Sequence, residues 1–380
     1  MSIHMCGIFV LCRNTHNAPH STSPSKPMDP FDHTRIHGRG ASGNPANRFE
    51  RITYERDEDY DPNEAPQLAT EYYKDTSKSI IITNDSLDVP FEASLNVYRG
   101  CEHGCVYCFA RPTHEYLGLS SGLDFESRIF VKEDAPLLLR KELTKPNWKP
   151  QVLVVSSVTD CYQPIERKLG ITRRCLEVLL EFRNPVAMIT KNRLITRDID
   201  LFKEMNTYNG IAVNISVTTL DADLARVMEP RASSPAHRLA AIEELSKAGI
   251  PVNVLVAPVV PGLTDHELPS IIKRAREAGA QSAGYIVLRL PHAVKDLFVQ
   301  WLEDHFPNRK NKVINRIRSL RGGKLYDSTW GKRMSGEGIF ADEIRKLFEV
   351  ALRKAGMKQR SSGLSTAAFR NAGDKQMMLF

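Results

Sequence analysis

Six short apolar segments separated by longer amphipathic segments dominate the chain from about residue 91 onward. Strands that are buried on both faces read as continuous apolar runs, and helices between them make the strands parallel with right-handed crossovers. The sequence therefore predicts a parallel α/β sheet. The periodicity alone is satisfied by a doubly wound sheet or by a barrel. The predicted strands span residues 93–98, 151–157, 186–191, 211–218, 252–257 and 283–289.

The segments between and after these strands carry apolar residues at helical spacing. Thr264 and Glu267 have the spacing of a capping box and predict the start of the helix after the fifth strand. The C-terminal part of the chain is predicted to be mostly helical. Among the predicted helices are residues 166–182, 237–248, 294–306 and 342–355.

Three cysteines lie within eight residues directly after the first predicted strand: Cys101, Cys105 and Cys108. Three thiolates this close together suit a metal ion or a metal cluster. A tetrahedral zinc site needs a fourth ligand, which His103 or His114 would supply. A four-iron cluster held by three cysteines keeps one iron open for a small molecule. The motif therefore predicts a metal centre, with chemistry at the open iron if the centre is a cluster.

The number of cysteines also indicates a cellular compartment. The chain has seven cysteines, an odd number, and three of them belong to the motif, which argues against a disulfide framework and for a reducing environment. No apolar run approaches the length of a membrane span, and no basic segment introduces a signal peptide. The sequence predicts a cytoplasmic protein that does not interact with a membrane.

Positive charge is concentrated between Arg309 and Arg333. The chain has 52 Lys and Arg against 45 Asp and Glu, for a net charge of +7. The stretch contains nine Lys and Arg and one acidic residue, Asp327, so its surplus of eight exceeds that of the whole chain. Such concentration favours an anionic partner, DNA or RNA, on whose bases Tyr326 and Trp330 would stack. A solvated helix face is the alternative interpretation.

Composition divides the chain into four parts. Residues 1–30 are rich in Ser, Pro, His and Asn without periodicity, which predicts a disordered tail. In the next part, Arg39, Arg48 and Arg51 either touch a ligand or pair with the acidic residues nearby. The parts are the tail (1–30), a polar N-terminal segment (31–90), the alternating α/β core (91–300) and a basic helical C-terminal extension (301–380).

The cysteine motif, with Tyr107 before its last cysteine, resembles the signature loop of the radical S-adenosylmethionine (SAM) superfamily. The four residues from Cys108 to Arg111, and the sequence Thr-Asp-Cys-Tyr-Gln-Pro at 159–164, resemble its spore-photoproduct-lyase-like branch. The resemblance extends from about residue 85 to about residue 300 and implies an open (β/α)6 partial barrel of the TIM type. It also implies a [4Fe-4S] cluster on the three cysteines, with SAM on the open iron. Cleavage of SAM would release a 5′-deoxyadenosyl radical, after an electron donor such as flavodoxin or ferredoxin has reduced the cluster.

The resemblance assigns further residues to SAM. Tyr107 would contact the adenine. The Gly-Gly-Glu-like segment that often faces the SAM amino group in this superfamily is missing from the chain, and Thr159 and Asp160 stand in its place. Ser216, on a strand face shared with Asn214 because residues two apart face the same way, would form a hydrogen bond with SAM.

Three cations are further candidates. Lys191, at the end of the third strand, would hold the SAM carboxylate or a phosphate, or form a salt bridge at the barrel rim. Arg231, in a Glu-Pro-Arg segment that resembles the same branch, would bind the carboxylate. Arg289, at the end of the sixth strand, would reach the substrate, with an ion pair at the rim as the alternative.

Cys161 and Tyr162 are the candidate catalytic residues. A thiol is a good donor of a hydrogen atom, and the resemblance implies such a role for a cysteine near the substrate radical. Cys161 does not match the position of the family's donor cysteine strictly, so the adjacent Tyr162 is the alternative donor. The alternative without a catalytic role is that Cys161 is an ordinary semi-buried thiol.

The sequence thus predicts a radical SAM enzyme that abstracts hydrogen from a substrate, with repair or modification of nucleic acid as the first hypothesis. Modification of a protein or a small metabolite is the second. A non-enzymatic, zinc-stabilised module that binds nucleic acid is an alternative of a different class.

Overall fold

The computed structural model describes residues 38–49, 68–359 and 363–371. The predicted tail, Arg51 and the acidic residues after it lie outside the described residues. The strands are β1 (Glu71–Lys74), β2 (Ile81–Thr83), β3 (Ala93–Leu95), β4 (Tyr98–Arg99), β5 (Arg128–Val131), β6 (Leu153–Val155), β7 (Val186–Thr190), β8 (Ile211–Ser216), β9 (Val252–Val259) and β10 (Ser282–Val287). The α-helices are α1 (Leu123–Ser127), α2 (Ala135–Leu143), α3 (Glu166–Leu169), α4 (Ile171–Glu181), α5 (Ile199–Asn206), α6 (Ala222–Met228), α7 (Pro235–Lys247), α8 (Leu268–Glu277), α9 (Val294–His305), α10 (Pro307–Ser319) and α11 (Ile339–Ala355). Short 3-10 helices span Arg111–Leu117, Arg193–Asp198 and Asp265–Glu267.

The larger sheet has seven strands in the order β10-β9-β8-β7-β6-β3-β2. Six of them, β3 and β6 to β10, are parallel. Among these six, neighbours in the sheet are also consecutive along the chain. Strand β2 pairs antiparallel with β3. Because β2 and β10 form opposite edges and are not paired with each other in the described part of the chain, the sheet stays open. The six predicted strands and the open (β/α)6 architecture are confirmed.

The two faces of the parallel sheet differ in chemistry. Val213 and Ile215 of β8 point towards the helices and are buried in the main hydrophobic core. The residues between them point the other way, since side chains alternate along a strand. On this concave face Asn214 lies beside Asn253 of β9, whose amide donates to the Asn214 side chain at 2.8 Å, and Ser216 lies in the next row. The concave face therefore carries polar side chains that can meet a ligand.

Two helix predictions need correction. The helix predicted over 166–182 is divided into α3 and α4 because Gly170, with φ of 61°, ends the first of them. The capping-box prediction is wrong because both side chains bind elsewhere. The Thr264 hydroxyl accepts a hydrogen bond from the Val260 N–H at 2.9 Å, and the Glu267 carboxylate binds the segment after β8. The other predicted helices correspond to α7, α9 and α11.

The polar N-terminal segment is part of the fold. Strand β1 pairs in parallel with β5, and β4 completes a small sheet in the order β1-β5-β4. Strand β2, from the same segment, belongs to the larger sheet. Residues 31–90, where described, are therefore not separate from the α/β core. No helix in the described ranges is both long and apolar enough to cross a membrane.

Residues 320–338, here named the bridging loop, connect the two open edges of the larger sheet. At the end of β10, the Val287 N–H donates to the Met334 carbonyl at 2.8 Å. On the other side, Arg333 forms an ion pair with the buried carboxylate of Asp88, which lies between β2 and β3. The bridging loop therefore spans the opening that the unpaired edges leave.

Candidate active site

The three motif cysteines lie in a loop that directly follows β4. The backbone anchors this cysteine loop at both ends, with the Cys101 N–H donating to the Phe125 carbonyl at 2.9 Å and the Val106 N–H donating to the Met228 carbonyl at 3.1 Å. Within the loop, the Cys108 N–H donates to the Cys105 carbonyl at 3.1 Å. All three cysteines are free thiols.

The chemistry of these thiols fits a metal cluster. Burial raises the pKa of all three above the usual value, to about 12 for Cys105, so without a cation they are protonated. A bound metal deprotonates a thiol ligand outright and supplies the missing positive charge. Within the described residues, no three His, Cys, Asp or Glu side chains are placed to hold one metal ion. Cluster ligands bind different irons, so the arrangement suits a cluster better than a single zinc ion.

The two histidines proposed as a fourth zinc ligand have other partners. The His103 ring lies 3.4 Å from the Asp160 carboxylate and 3.2 Å from the Asn192 amide. The His114 Nε2 lies 2.9 Å from the Arg128 carbonyl, and burial lowers the pKa of His114 to about 4. These contacts give no support to the zinc interpretation.

The N-terminal segment packs directly against the cysteine loop. A Cβ added to Gly40 would lie 1.7 Å from the Gly104 carbonyl oxygen, so only glycine fits at this contact. The N–H groups of Gly40 and Ala41 donate to the buried Glu126 carboxylate at 2.9 and 2.8 Å. Arg111 pairs with Glu126 and also donates to the Cys105 carbonyl at 2.9 Å. These residues together fix the shape of the cysteine loop.

This support for the cysteine loop was not predicted from the sequence. Arg39 donates to the Glu126 carbonyl at 2.8 Å and to the Leu68 carbonyl at 2.7 Å, and Arg48 pairs with Glu115. The acidic residues that were their expected alternative partners lie outside the described residues. The available signal was the His-Gly-Arg-Gly sequence at 37–40, since closely spaced glycines indicate a close backbone approach.

Tyr107 is held by a buried charge network that the sequence analysis also missed. Its hydroxyl donates to the Glu229 carboxylate, which pairs with the buried guanidinium of Arg238. Thr218 donates to the same carboxylate at 2.8 Å. Burial alone would raise the pKa of Glu229, but the charges of Arg238 and Lys191 lower it to about 2. The carboxylate is therefore charged at neutral pH and fixes the Tyr107 ring.

Asp160 and Thr159 lie near the loop but bind the protein. The Asp160 carboxylate accepts the Thr190 hydroxyl at 2.7 Å and the Lys191 N–H at 2.8 Å. Burial would raise the pKa of Asp160, yet the charge and hydrogen bond of His103, together with these donors, lower it to about 2. The Thr159 hydroxyl donates to the Tyr98 carbonyl at 2.9 Å. A direct contact of either residue with SAM stays a prediction.

Lys191 lies close to the cysteine loop, and Ser216 lies on the concave face of the sheet. The Lys191 ammonium is 5.8 Å from the centroid of the Tyr107 ring, and its charge acts on Cys105 and Cys108 to oppose the effect of burial on their pKa. Ser216 ends β8 on the concave face. The structure thus brings Lys191 together with Tyr107 and the cysteines, whereas the role of Ser216 stays a prediction.

Arg231, Cys161 and Tyr162 are directed elsewhere. Arg231 donates to the Thr70 hydroxyl at 3.1 Å and has its guanidinium 4.0 Å from Glu102. Cys161 is 1% exposed and belongs to the main core. The buried Tyr162 hydroxyl donates to Asp198 at 3.0 Å. The roles predicted for these three residues stay predictions and gain no support from their contacts.

Most cations of the basic stretch, residues 309–333, contact other groups of the protein. Lys310, Lys332 and Arg333 have acidic partners, Arg321 is buried on two backbone carbonyls and Arg316 lies over the Phe340 ring. The exposed cations are Arg309, Lys312, Arg318, Lys324 and Lys332, of which Lys332 pairs with Glu337. The surplus of charge in the sequence therefore overstates the charge that an anionic partner would meet.

Comparisons with known proteins show which proteins the chain resembles. The family model of the radical SAM superfamily matches residues 95–275. An uncharacterised protein of Mycobacterium tuberculosis is 34% identical over 234 residues, which cover 61% of this chain and 68% of the relative. An uncharacterised protein of Methanocaldococcus jannaschii is 31% identical over 173 residues, or 46% of this chain and 62% of the relative.

Solved structures of spore photoproduct lyase have a similar fold. A mutant with bound AdoMet and dinucleoside spore photoproduct matches with a TM-score of 0.54 and 15% identity, covering 79% of this chain and 88% of that chain. A complex with dinucleoside spore photoproduct matches with a TM-score of 0.53 and 16% identity, covering 74% and 78% of the two chains. At this identity the likeness concerns the fold.

Proposed function

Because this chain belongs to the radical SAM superfamily, whose cofactors are a [4Fe-4S] cluster and SAM, we propose that Cys101, Cys105 and Cys108 hold the cluster. The observation that carries the proposal is the loop of three free thiols, two of them buried and one partly buried, in a fold with a polar concave face. When bound and reduced, the cluster supplies the electron that cleaves SAM, and the 5′-deoxyadenosyl radical so formed abstracts hydrogen from the substrate.

The surrounding residues orient SAM. The Lys191 ammonium, close to Cys105 and to the Tyr107 ring, binds the SAM carboxylate as a point charge. Tyr107 contacts the adenine with a ring whose hydroxyl is fixed by Glu229. The Ser216 hydroxyl donates to SAM from the concave face. Asp160 acts mainly by holding the Lys191 backbone, to which it is bound at 2.8 Å.

We propose a nucleic acid as the substrate, with repair or modification of a base as the reaction. Support comes from spore photoproduct lyase, a protein of similar fold whose solved complexes contain a dinucleoside photoproduct. Modification of a protein or metabolite is the alternative, and salt-sensitive binding of nucleic acid distinguishes the two because phosphate contacts weaken steeply with salt.

Anaerobic preparation of the full chain tests the cofactor assignment. Iron and sulfide analysis should give four of each per chain in the wild type, and dithionite with SAM should yield 5′-deoxyadenosine. Cys105→Ala should lose both the cluster and the product. Cys175→Ala, which alters a buried thiol of α4 outside the loop, is the matched control and should keep both. Full SAM cleavage by Cys105→Ala, or protein without iron after reconstitution, would contradict the proposal.

A further inference from the structure

Arg289 forms no ion pair within the described residues, although its charge also acts on the Asp88 carboxylate, the partner of Arg333. Arg289 follows β10, and its Cζ lies 4.8 Å from the ring centroid of Phe109, the residue after Cys108. Its Nη1 lies 3.6 Å from the sulfur of Met334, and its Nε is buried without a hydrogen-bond partner. A buried polar group without a partner is costly, so the guanidinium is arranged to receive an anionic group.

Exposed aromatic rings lie near the segment that follows β10. Phe49 and Tyr116 stack with ring centroids 4.8 Å apart, and they are 55% and 72% exposed. Arg48 lies over the Phe49 ring at 5.0 Å, and its Nη1 is 2.9 Å from the Nδ1 of His292. His292 is three residues from Arg289, so one short segment after β10 contacts Arg48 beside the stacked pair and also contacts Phe109. The charge of Arg48 is matched by Glu115, so Arg48 positions the rings.

We propose that this aromatic rim, defined as Phe49, Tyr116, Phe109 and Arg289, binds a single-stranded segment of nucleic acid. A base stacks on the face of Tyr116 that Phe49 does not cover, and Arg289 binds a phosphate. Exposed ring faces need unstacked bases, which a duplex does not offer. The rim borders the cysteine loop through Phe109, so a strand bound there has a base near the reacting centre. This inference rests on the proposed function and assigns its substrate a surface other than the basic stretch.

Binding of fluorescein-labelled oligothymidylate to the anaerobic, cluster-loaded full chain tests the rim by fluorescence anisotropy. Tyr116→Ala should weaken binding about tenfold, as expected for the loss of one base–aromatic stack. Arg289→Gln should lower the slope of log K against log salt by about 0.7, the effect of one phosphate contact on a single strand. Arg318→Gln, which removes an exposed cation of α10, is the matched control and should change neither quantity. Tyr116→Phe keeps the ring and should bind as the wild type does, which separates stacking from misfolding.

The outcomes distinguish this inference from the proposed function. If Arg318→Gln weakens binding while the rim variants do not, the assignment of the binding surface to the rim is wrong, and nucleic acid remains the proposed substrate. If a hairpin duplex binds more tightly than the single strand, the single-strand assignment is wrong. Wild-type protein that binds no oligonucleotide would overturn the rim and the substrate class together, whatever its SAM cleavage. Binding through the rim without formation of 5′-deoxyadenosine would contradict the radical activity and support the rim.

Discussion

Replacement of Gly40 by alanine tests whether the N-terminal segment shapes the cysteine loop. The new Cβ would lie 1.7 Å from the Gly104 oxygen and 3.2 Å from the Val106 nitrogen. Relief of this clash to an ordinary contact requires a movement of about 1.8 Å, since non-bonded heavy atoms prefer about 3.5 Å. Such a movement stretches the two bonds from Gly40 and Ala41 to Glu126 beyond hydrogen-bonding distance.

The magnitude follows from those two bonds. Each is a hydrogen bond to a charged group, and the pair contributes about 3–6 kcal/mol at about 1.5–3 kcal/mol each. The apo protein should therefore melt lower by roughly 5–10 °C if it unfolds as a unit. Because the Gly104 carbonyl belongs to the cysteine loop, the iron bound per chain should also fall below that of the wild type.

Calorimetry of the apo protein and iron analysis after reconstitution measure both effects. Gly363→Ala is the matched control, because its Cβ meets no atom within 4 Å and its φ is not in the left-handed region. The control should stay within about 0.5 kcal/mol of the wild type, as for surface substitutions in general. Wild-type melting and full iron content in Gly40→Ala would refute the argument that this segment holds the loop.

Three further predictions concern other parts of the structure. Glu229 has a pKa of about 2 in the folded protein against an ordinary value of 4.5, so it stabilises the fold above pH 4.5 and this contribution is lost as the pH falls to about 2. In urea denaturation at pH 7, apo Glu229→Gln should therefore have a lower free energy of unfolding than the wild type, because Arg238 is left unpaired. This difference should shrink by roughly 3 kcal/mol as the pH falls from 4.5 to about 2, and a difference that stays constant would contradict the lowered pKa. Asp88→Asn should speed hydrogen exchange of the Val287 amide about tenfold, because the bridging loop loses a charged anchor; unchanged exchange would show that the anchor is dispensable. Cys161→Ala should keep its iron and its 5′-deoxyadenosine formation, at a stability cost of roughly 1–2 kcal/mol, while changing the product on substrate; an unchanged product, identified by mass spectrometry, removes its role as hydrogen donor.

Short-range patterns predicted the framework well. The six parallel strands are visible in the sequence because a strand buried on both faces must be apolar along its whole length. The cysteine loop is visible because its ligands lie within eight residues of one another. The shared face of Asn214 and Ser216 follows from the strand period alone.

Predictions from local signals failed where a distant residue offered a better partner. Thr264 has the right spacing for a cap, yet its hydroxyl binds the Val260 N–H. The basic stretch counts Arg333 as a free cation, although its partner Asp88 lies 245 positions away in the sequence. Counting charges along the sequence does not reveal such pairing, because two residues that are far apart in the sequence produce no local pattern.

The sequence by itself determined the parallel strands and the place of the cysteine loop after the first of them, and its resemblance to a known superfamily indicated the open barrel and the type of cofactor. Tertiary structure alone decided that Gly40 and Glu126 support the loop, that Glu229 fixes Tyr107, and that Arg289 lies over the Phe109 ring. The difference has one physical cause. Strand burial and ligand spacing act between near neighbours in the chain, whereas close packing and ion pairing depend on which distant residues the fold brings together.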